Sequence, residues 1–265
     1  MAVVKKINVN GTAHQIGADA ENVSYGNSNV KTVLDNLGGS SELAGKSFAV
    51  LGDSFTALGA GTDGWFDVMC AKLGAVKLAN KAGSGARWSG STNSATSQAN
   101  ALVSQLGATN PNYIIAVFGV NDINNDHDFN PNTSAVTLGE ISYNGTFDLT
   151  SEPNSVTAGL QSAITILKRN FPNSIIKIGW TPSGIQFLST NLGTHWSAFK
   201  SYIERMKDVC AMYGVDYIDT LACGCSPYIS EDVTNYMAGT NDRHPSSAGR
   251  QRIGEYMARL MLSNL

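Results

Sequence analysis

A serine hydroxyl becomes a useful nucleophile only beside a base that can take its proton and donors that can hold the oxyanion formed on attack. Residues of those types stand in four short clusters of this chain: Gly52-Asp53-Ser54, Gly83-Ser84-Gly85, Gly119-Val120-Asn121-Asp122 and Asn241-Asp242-Arg243-His244. Ser54 is the candidate nucleophile. His244 is the candidate base, because an imidazole can take and return a proton near neutrality. Gly85 offers a backbone N–H that no side chain obstructs, and the Asn121 amide offers a second donor. Asp242 is the nearest carboxylate that could hold the imidazole tautomer. Arg87 and Trp88, just after Gly85, are candidate substrate-binding residues in a pocket wall; Trp65 and Trp180 read equally well as wall or as ordinary packing.

The elements around these clusters alternate. Apolar runs at 47–51, 75–79, 113–118, 175–180 and 215–218 predict strands, and segments at 64–73, 94–106, 155–170 and 196–213 carry apolar residues at helical spacing. Leu160, Ile164 and Leu167 share one helical face, and Pro172 marks a helix end. Strands alternating with helices imply right-handed crossovers and a parallel sheet of about five strands covered on both faces. Ser54 then ends the first core strand, Gly85 follows the second, Asn121 the third, and His244 follows the fifth by a long loop. All four clusters fall on one sheet edge, where open α/β folds bind ligands.

Taken together and in order, Gly52-Asp53-Ser54, Gly85 within 80–85, Gly119-Val120-Asn121-Asp122 and His244-Pro245 resemble the four blocks of the SGNH, or GDSL, hydrolase family. The likeness spans residues 46 to 262. It implies a flavodoxin-like three-layer α/β/α sandwich and a serine esterase with Ser54 as nucleophile and His244 as base. It also implies an oxyanion hole made of the Ser54 N–H, the Gly85 N–H and the Asn121 side chain, with no cofactor. One position departs from the pattern: the family acid precedes the histidine by three residues, and here that residue is Asn241. Either Asp242 reaches the imidazole, giving a Ser-His-Asp triad, or a Ser-His dyad works with a backbone carbonyl. The Gly-x-Ser-x-Gly elbow of the α/β-hydrolases is absent.

The family cleaves acyl esters, including acetyl groups on sugars, and polar neighbours such as Arg87, Asn124 and Asn125 favour a hydroxylated carrier over a long apolar chain. The expected activity is therefore removal of small acyl groups, acetyl above all, from glycans or other small esters. The alternative from another class is a module that grips acetylated glycan without cutting it.

Composition narrows the field. With 265 residues, 42% hydrophobic and 15% charged, one main α/β core is expected. A net charge of -3 without clustered Lys or Arg argues against nucleic acid as a partner. No apolar run is long enough for a membrane span, so no membrane insertion is expected, and residues 1–10 lack a secretion-signal core. Cys70 and Cys210 read as core thiols, and Cys223-Gly224-Cys225 lacks a second ligand pair for zinc. His127 with Asp126 and Asp128 makes a poor preformed metal site, so no metal is expected. The 44–47 stretch resembles the end of a phosphate loop but precedes a strand instead of following one.

Two segments stand apart from the core pattern. Residues 1–42 read as a small separate piece ahead of a domain at 43–265: a hairpin around Asn10-Gly11, a polar stretch and a short helix at 30–37. Its 21–25 and 33–37 stretches resemble linkers of bacteriophage tail proteins. That implies virion association and self-association through this segment, a cytoplasmic location being the other reading. Between 122 and 154, short β-rich runs around Asn144-Gly145 predict an inserted hairpin above the sheet.

Overall fold

The computed structural model describes residues 6–9, 12–15, 24–25, 28–29, 42–124, 138–141, 154–182, 192–226, 229–239 and 244–263. Near the amino terminus, β1 (Lys6–Val9) and β2 (Thr12–Gln15) pair antiparallel with Val9 opposite Thr12, the ribbon that Asn10-Gly11 signals. A second small ribbon, β3 (Ser24–Tyr25) with β4 (Ser28–Asn29), falls in the stretch read only as polar. The helix expected at 30–37 lies outside the described residues.

The core is a five-stranded parallel sheet. Its strands are β5 (Ser47–Gly52), β6 (Val76–Asn80), β7 (Tyr113–Phe118), β8 (Ile175–Trp180) and β9 (Asp216–Ile218), in the order β6-β5-β7-β8-β9. The pairs run in parallel register, with Phe48 beside Tyr113 and Tyr113 beside Ile175. This is the flavodoxin-like order, whose switch point lies between β5 and β7. Strand β7 shows why the sheet has two covered faces: every residue is buried, with Ile114, Ala116 and Phe118 entering one core and Tyr113, Ile115 and Val117 the other.

Helices α3 (Ala95–Leu106), α5 (Val156–Asn170) and α6 (Leu192–Tyr213) cover the first face. Each of the first two starts where a serine caps it. Ser94 forms a capping box with Ser97, and the Ser155 hydroxyl accepts the Ala158 N–H at 3.1 Å. The second face is covered by α2 (Trp65–Leu73) and α8 (Ser247–Ser263). The alternating sequence pattern does not announce α8. Its contact with α2 is close: a Cβ at Gly254 would lie 2.5 Å from Val68 Cβ and 2.7 Å from the Trp65 carbonyl oxygen. Three shorter helices complete the core, α1 (Ser54–Ala57), α4 (Val120–Asn124) and α7 (Ser230–Tyr236). Two of them carry candidate site residues, Ser54 in α1 and Asn121 in α4.

Of the expected inserted hairpin, only residues 138–141 are described, and they form no strand. They are tied down instead to the start of α5, where the Leu138 carbonyl accepts from the Thr157 N–H at 3.0 Å and from the Thr157 hydroxyl at 2.6 Å.

Candidate active site

Strand β5 runs its apolar residues into the core and stops at Gly52. Asp53 then leaves the sheet and caps α1, its Oδ1 accepting the Phe55 N–H at 3.0 Å, so that Ser54 is the first residue of a tight helical turn at the strand's carboxyl end. Gln98 on α3 clamps the turn from behind: its side-chain amide accepts the Gly52 N–H and donates to the Gly52 carbonyl, each at 2.9 Å. Both bonds are buried.

His244 arrives from the opposite end of the chain. An isolated antiparallel bridge pairs Met237 with Pro245, and the Ala238 N–H donates to the His244 carbonyl at 2.8 Å. Helix α8 begins three residues after His244. The outcome is a direct hydrogen bond, Ser54 Oγ to His244 Nε2, at 2.8 Å. The imidazole lies against the Phe55 ring, with ring centroids 5.0 Å apart.

The oxyanion candidates come from the two strands flanking β5. Gly85 lies on the exposed loop after β6, in the left-handed region at φ +74°. Asn121 belongs to α4, immediately beyond β7, and its side-chain Nδ2 donates to the Ala86 carbonyl at 2.9 Å. An amide nitrogen carries two N–H groups, so one remains to meet a ligand. The turn into α4 demands glycine: Gly119 has φ +137°, and a Cβ there would lie 2.2 Å from the Trp180 ring. Ser54, His244, Gly85 and Asn121 thus all stand on the carboxyl edge of the sheet, on the loops and turns that the sequence singles out.

The other expected residues fall differently. Trp88 does not wall a pocket. Its side chain is fully buried in the first core, tilted against Phe118 at 4.8 Å, with its indole N–H donating to the Phe118 carbonyl at 3.0 Å. A large flat ring with one donor is best satisfied where the body meets apolar atoms and the N–H meets a strand-end carbonyl, and the loop supplies both. Trp65 and Trp180 are also packed inside, Trp65 donating to the Thr56 hydroxyl at 3.2 Å and Trp180 lying edge-on to Phe199. Arg87 is half-buried, bridged through its backbone to Ser94. Asp242 and Asn241 lie outside the described residues, as do Asn125, His127 and its two aspartates.

The electrostatics centre on two buried carboxylates that sequence reasoning leaves without a role. Burial pushes Asp53 up to about 7, against the pull of the hydrogen bonds from Thr181 and Phe55, and nearby Asp122 adds to the rise. Burial likewise pushes Asp122 up to about 6, although its oxygens accept from the Trp88 N–H at 2.9 Å, the Ser89 N–H at 3.1 Å and the Ser89 hydroxyl at 2.8 Å. Asp122 therefore holds the 86–89 loop on the oxyanion side. Thr181, just past β8, donates to Asp53 Oδ2. Its position after a strand end is the only signal in the sequence.

Beside the Ser54–His244 pair opens a cleft of about 450 Å³. Its lining mixes apolar Leu58, Ala238 and Pro245 with polar Ser84, Ser246 and Arg250. Arg250 is pinned by Asp63, whose carboxyl is held down to about 2 mainly by that hydrogen bond and also by the Ser247 hydroxyl. Burial pushes the Cys70 and Cys210 thiols up to about 12, in keeping with core positions. Among the described residues no cluster of three or more His, Cys, Asp or Glu could hold a metal ion, and no helix is long and apolar enough to cross a membrane.

The model of the GDSL-like lipase/acylhydrolase family matches residues 50–252. The chain belongs to this family. The matched span of this GDSL-type ester hydrolase encloses both Ser54 and His244. No curated protein matches the chain. Among solved structures it is similar to a protein from Lactobacillus plantarum, with 21% identity over 84% of this chain and 99% of that one and a TM-score of 0.60. It is also similar to a single-residue variant of Axe2, an acetyl xylan esterase from Geobacillus stearothermophilus, at 15% identity over 83% of this chain and 94% of that one, TM-score 0.52. A third is a carbohydrate esterase family 2 enzyme plus carbohydrate binding domain from Corynascus thermopiles, at 17% identity over 83% of this chain and 66% of that one, TM-score 0.51. At such identities the likeness is one of fold.

Proposed function

We propose that this GDSL hydrolase removes acetyl groups from hydroxylated carriers, glycans above all, with Ser54 as nucleophile and His244 as general base. The observation that carries the reading is the 2.8 Å hydrogen bond between the Ser54 hydroxyl and His244 Nε2 at the side of an open cleft. In the proposed course, His244 takes the Ser54 proton as Oγ attacks the ester carbonyl. The oxyanion is met by the N–H groups of Ser54 and Gly85 and by the free N–H of Asn121. His244 then gives its proton to the departing alcohol, and water, activated by the same imidazole, releases acetate from Ser54. Asp242 orients the imidazole in this scheme, with a backbone carbonyl as the other orienting group, and Arg87 contacts the substrate from the loop beyond Gly85.

The acetyl preference rests on proportion. An acetyl group needs only a small fraction of the cleft, which leaves the remainder for the alcohol. Serines and an arginine among the lining residues suit a hydroxylated alcohol. The names of two neighbours of the same fold, an acetyl xylan esterase and a carbohydrate esterase, point the same way. In keeping with the tail-linker likeness of residues 21–25 and 33–37, the proposed setting is a phage or prophage appendage acting on bacterial surface glycans. The rival reading, a binding module without turnover, has no use for a nucleophile and base held in hydrogen-bond contact.

An aryl acetate and an acetylated glycan serve as test substrates. Wild type should release acetate from both, faster than it releases butyrate or octanoate from matched esters, and Ser54→Ala should lose turnover by about 1,000-fold or more. Equal rates for wild type and Ser54→Ala would remove the serine mechanism. A rate rising with acyl length would remove the acetyl assignment, and tight glycan binding without release would favour the binding module.

A further inference from the structure

We propose that Thr181 is a positioning residue of this hydrolase: its buried hydroxyl fixes the nucleophile turn against the oxyanion helix, so that Ser54 and Asn121 face the same reacting carbon. The proposal rests on the reading of Ser54 and Asn121 given above. Thr181 is fully buried and lies just past β8, where its own N–H donates to the Phe118 carbonyl at 3.1 Å and seats it on the end of β7. Its hydroxyl then makes two bonds of opposite sense. The Val120 N–H donates to Thr181 Oγ1 at 3.2 Å, and Thr181 Oγ1 donates to Asp53 Oδ2.

The sense of these bonds is set by the partners. A backbone N–H can only donate, so it occupies a lone pair of the hydroxyl, and the single hydroxyl proton is left for the carboxylate. Asp53 passes the constraint on, because its other oxygen accepts the Phe55 N–H at 3.0 Å. Ser54 lies between these two residues, and Asn121 directly follows Val120. One hydroxyl therefore joins the residues flanking the nucleophile to the residue preceding the amide donor.

Other side chains at the site do half of this. Among the described residues, Gln98 hydrogen-bonds Gly52 on both sides but makes no hydrogen bond to α4, and Asp122 ties α4 to residues 88 and 89 but makes none to the nucleophile turn. Among the described residues, Thr181 is the side chain whose hydrogen bonds reach both segments. It is too deep to meet substrate, so its effect must pass through the groups it holds. A donor displaced by a fraction of an ångström loses its advantage in the transition state more than in the ground state.

The test compares wild type, Thr181→Val and Thr181→Ser on an aryl acetate and measures inhibition by an arylboronic acid, which forms a tetrahedral adduct on an activated serine. Valine keeps the shape and removes the hydroxyl; serine keeps the hydroxyl. Thr181→Val should lower kcat by about 10- to 100-fold with KM within about twofold, and weaken the boronate by a similar factor. Thr181→Ser should stay within about threefold of wild type on both readouts. A Thr181→Val enzyme that melts earlier yet keeps its kcat and boronate affinity overturns the proposal. So does a Thr181→Ser enzyme as poor as the valine variant, or a valine variant that does not fold, since the hydroxyl would then serve the fold rather than the rate. If wild type itself turns over no ester, or Ser54→Ala turns it over equally well, the underlying reading fails instead, and the two failures are told apart.

Discussion

Replacing Asp53 by asparagine should make the protein more stable near neutral pH and less active. Asp53 is fully buried, and burial is the largest reason its carboxyl is pushed from the ordinary 3.8 up to about 7. A rise of one pH unit in a group's titration midpoint corresponds to about 1.4 kcal/mol, so keeping this carboxylate ionised inside the fold costs roughly 4 kcal/mol relative to its neutral form. The sign follows from proton counting. Between about pH 4 and 7 the folded state holds a proton that the unfolded chain releases, so the group's stabilisation is complete below about 4 and is lost as pH rises through about 7. An asparagine at this position would keep the acceptor for the Phe55 N–H and carry no charge at any pH. The stability difference, Asp53→Asn minus wild type, should therefore be smallest below about pH 4, rise by about 1.4 kcal/mol per pH unit above it and level off beyond about pH 7. Asp122, pushed up to about 6 by its own burial, loses its proton over much of the same interval, so the rise should be spread out and not centred sharply on one value. Urea unfolding of both proteins at intervals from about pH 5 to about pH 8 measures it. Parallel stability curves would refute the burial argument. Activity should move oppositely, because an amide nitrogen facing Thr181 would donate where the carboxylate accepts, a trade of stability against function.

Other perturbations follow from the same frame. Gln98→Leu strips both side-chain bonds from the buried Gly52 peptide group and should destabilise by about 2 to 4 kcal/mol in urea unfolding, with part of the loss offset by the remaining Gly83 N–H to Gly52 carbonyl bond at 3.0 Å. Gly119→Ala places a methyl 2.2 Å from the Trp180 ring at φ +137°, so it should cost about 3 kcal/mol or more and lower kcat by displacing Asn121; unchanged thermal melting would count against the close approach.

Most of the sheet is legible in the sequence because its residues obey local rules. The runs at 113–118 and 175–180 are apolar almost throughout and bounded by turn residues, and the strands have those bounds. Ser94 and Ser155 announce helices by capping chemistry that needs only the next three or four residues. Helix α8 is less legible because Gly249, Gly254 and a polar stretch weaken its periodic signal, and the reason for Gly254, contact with α2, is remote in sequence. The site divides in the same way. Ser54, Gly85, Asn121 and His244 stand in short blocks that can be read one at a time. Trp88 misleads by proximity, since adjacency to Gly85 says nothing about which way a ring turns. Thr181 and Gln98 carry no local mark, because their partners lie 128 and 46 residues away.

The bond between Ser54 and His244 joins positions 190 residues apart, the first strand of the core to the approach to its last helix. A ribosome making this protein would release the serine long before the imidazole, and α8, which follows the imidazole, after both. A growing polypeptide that stops short of α8 would therefore carry the Ser54 hydroxyl without its imidazole partner, and formation of that bond would report closure of the whole core.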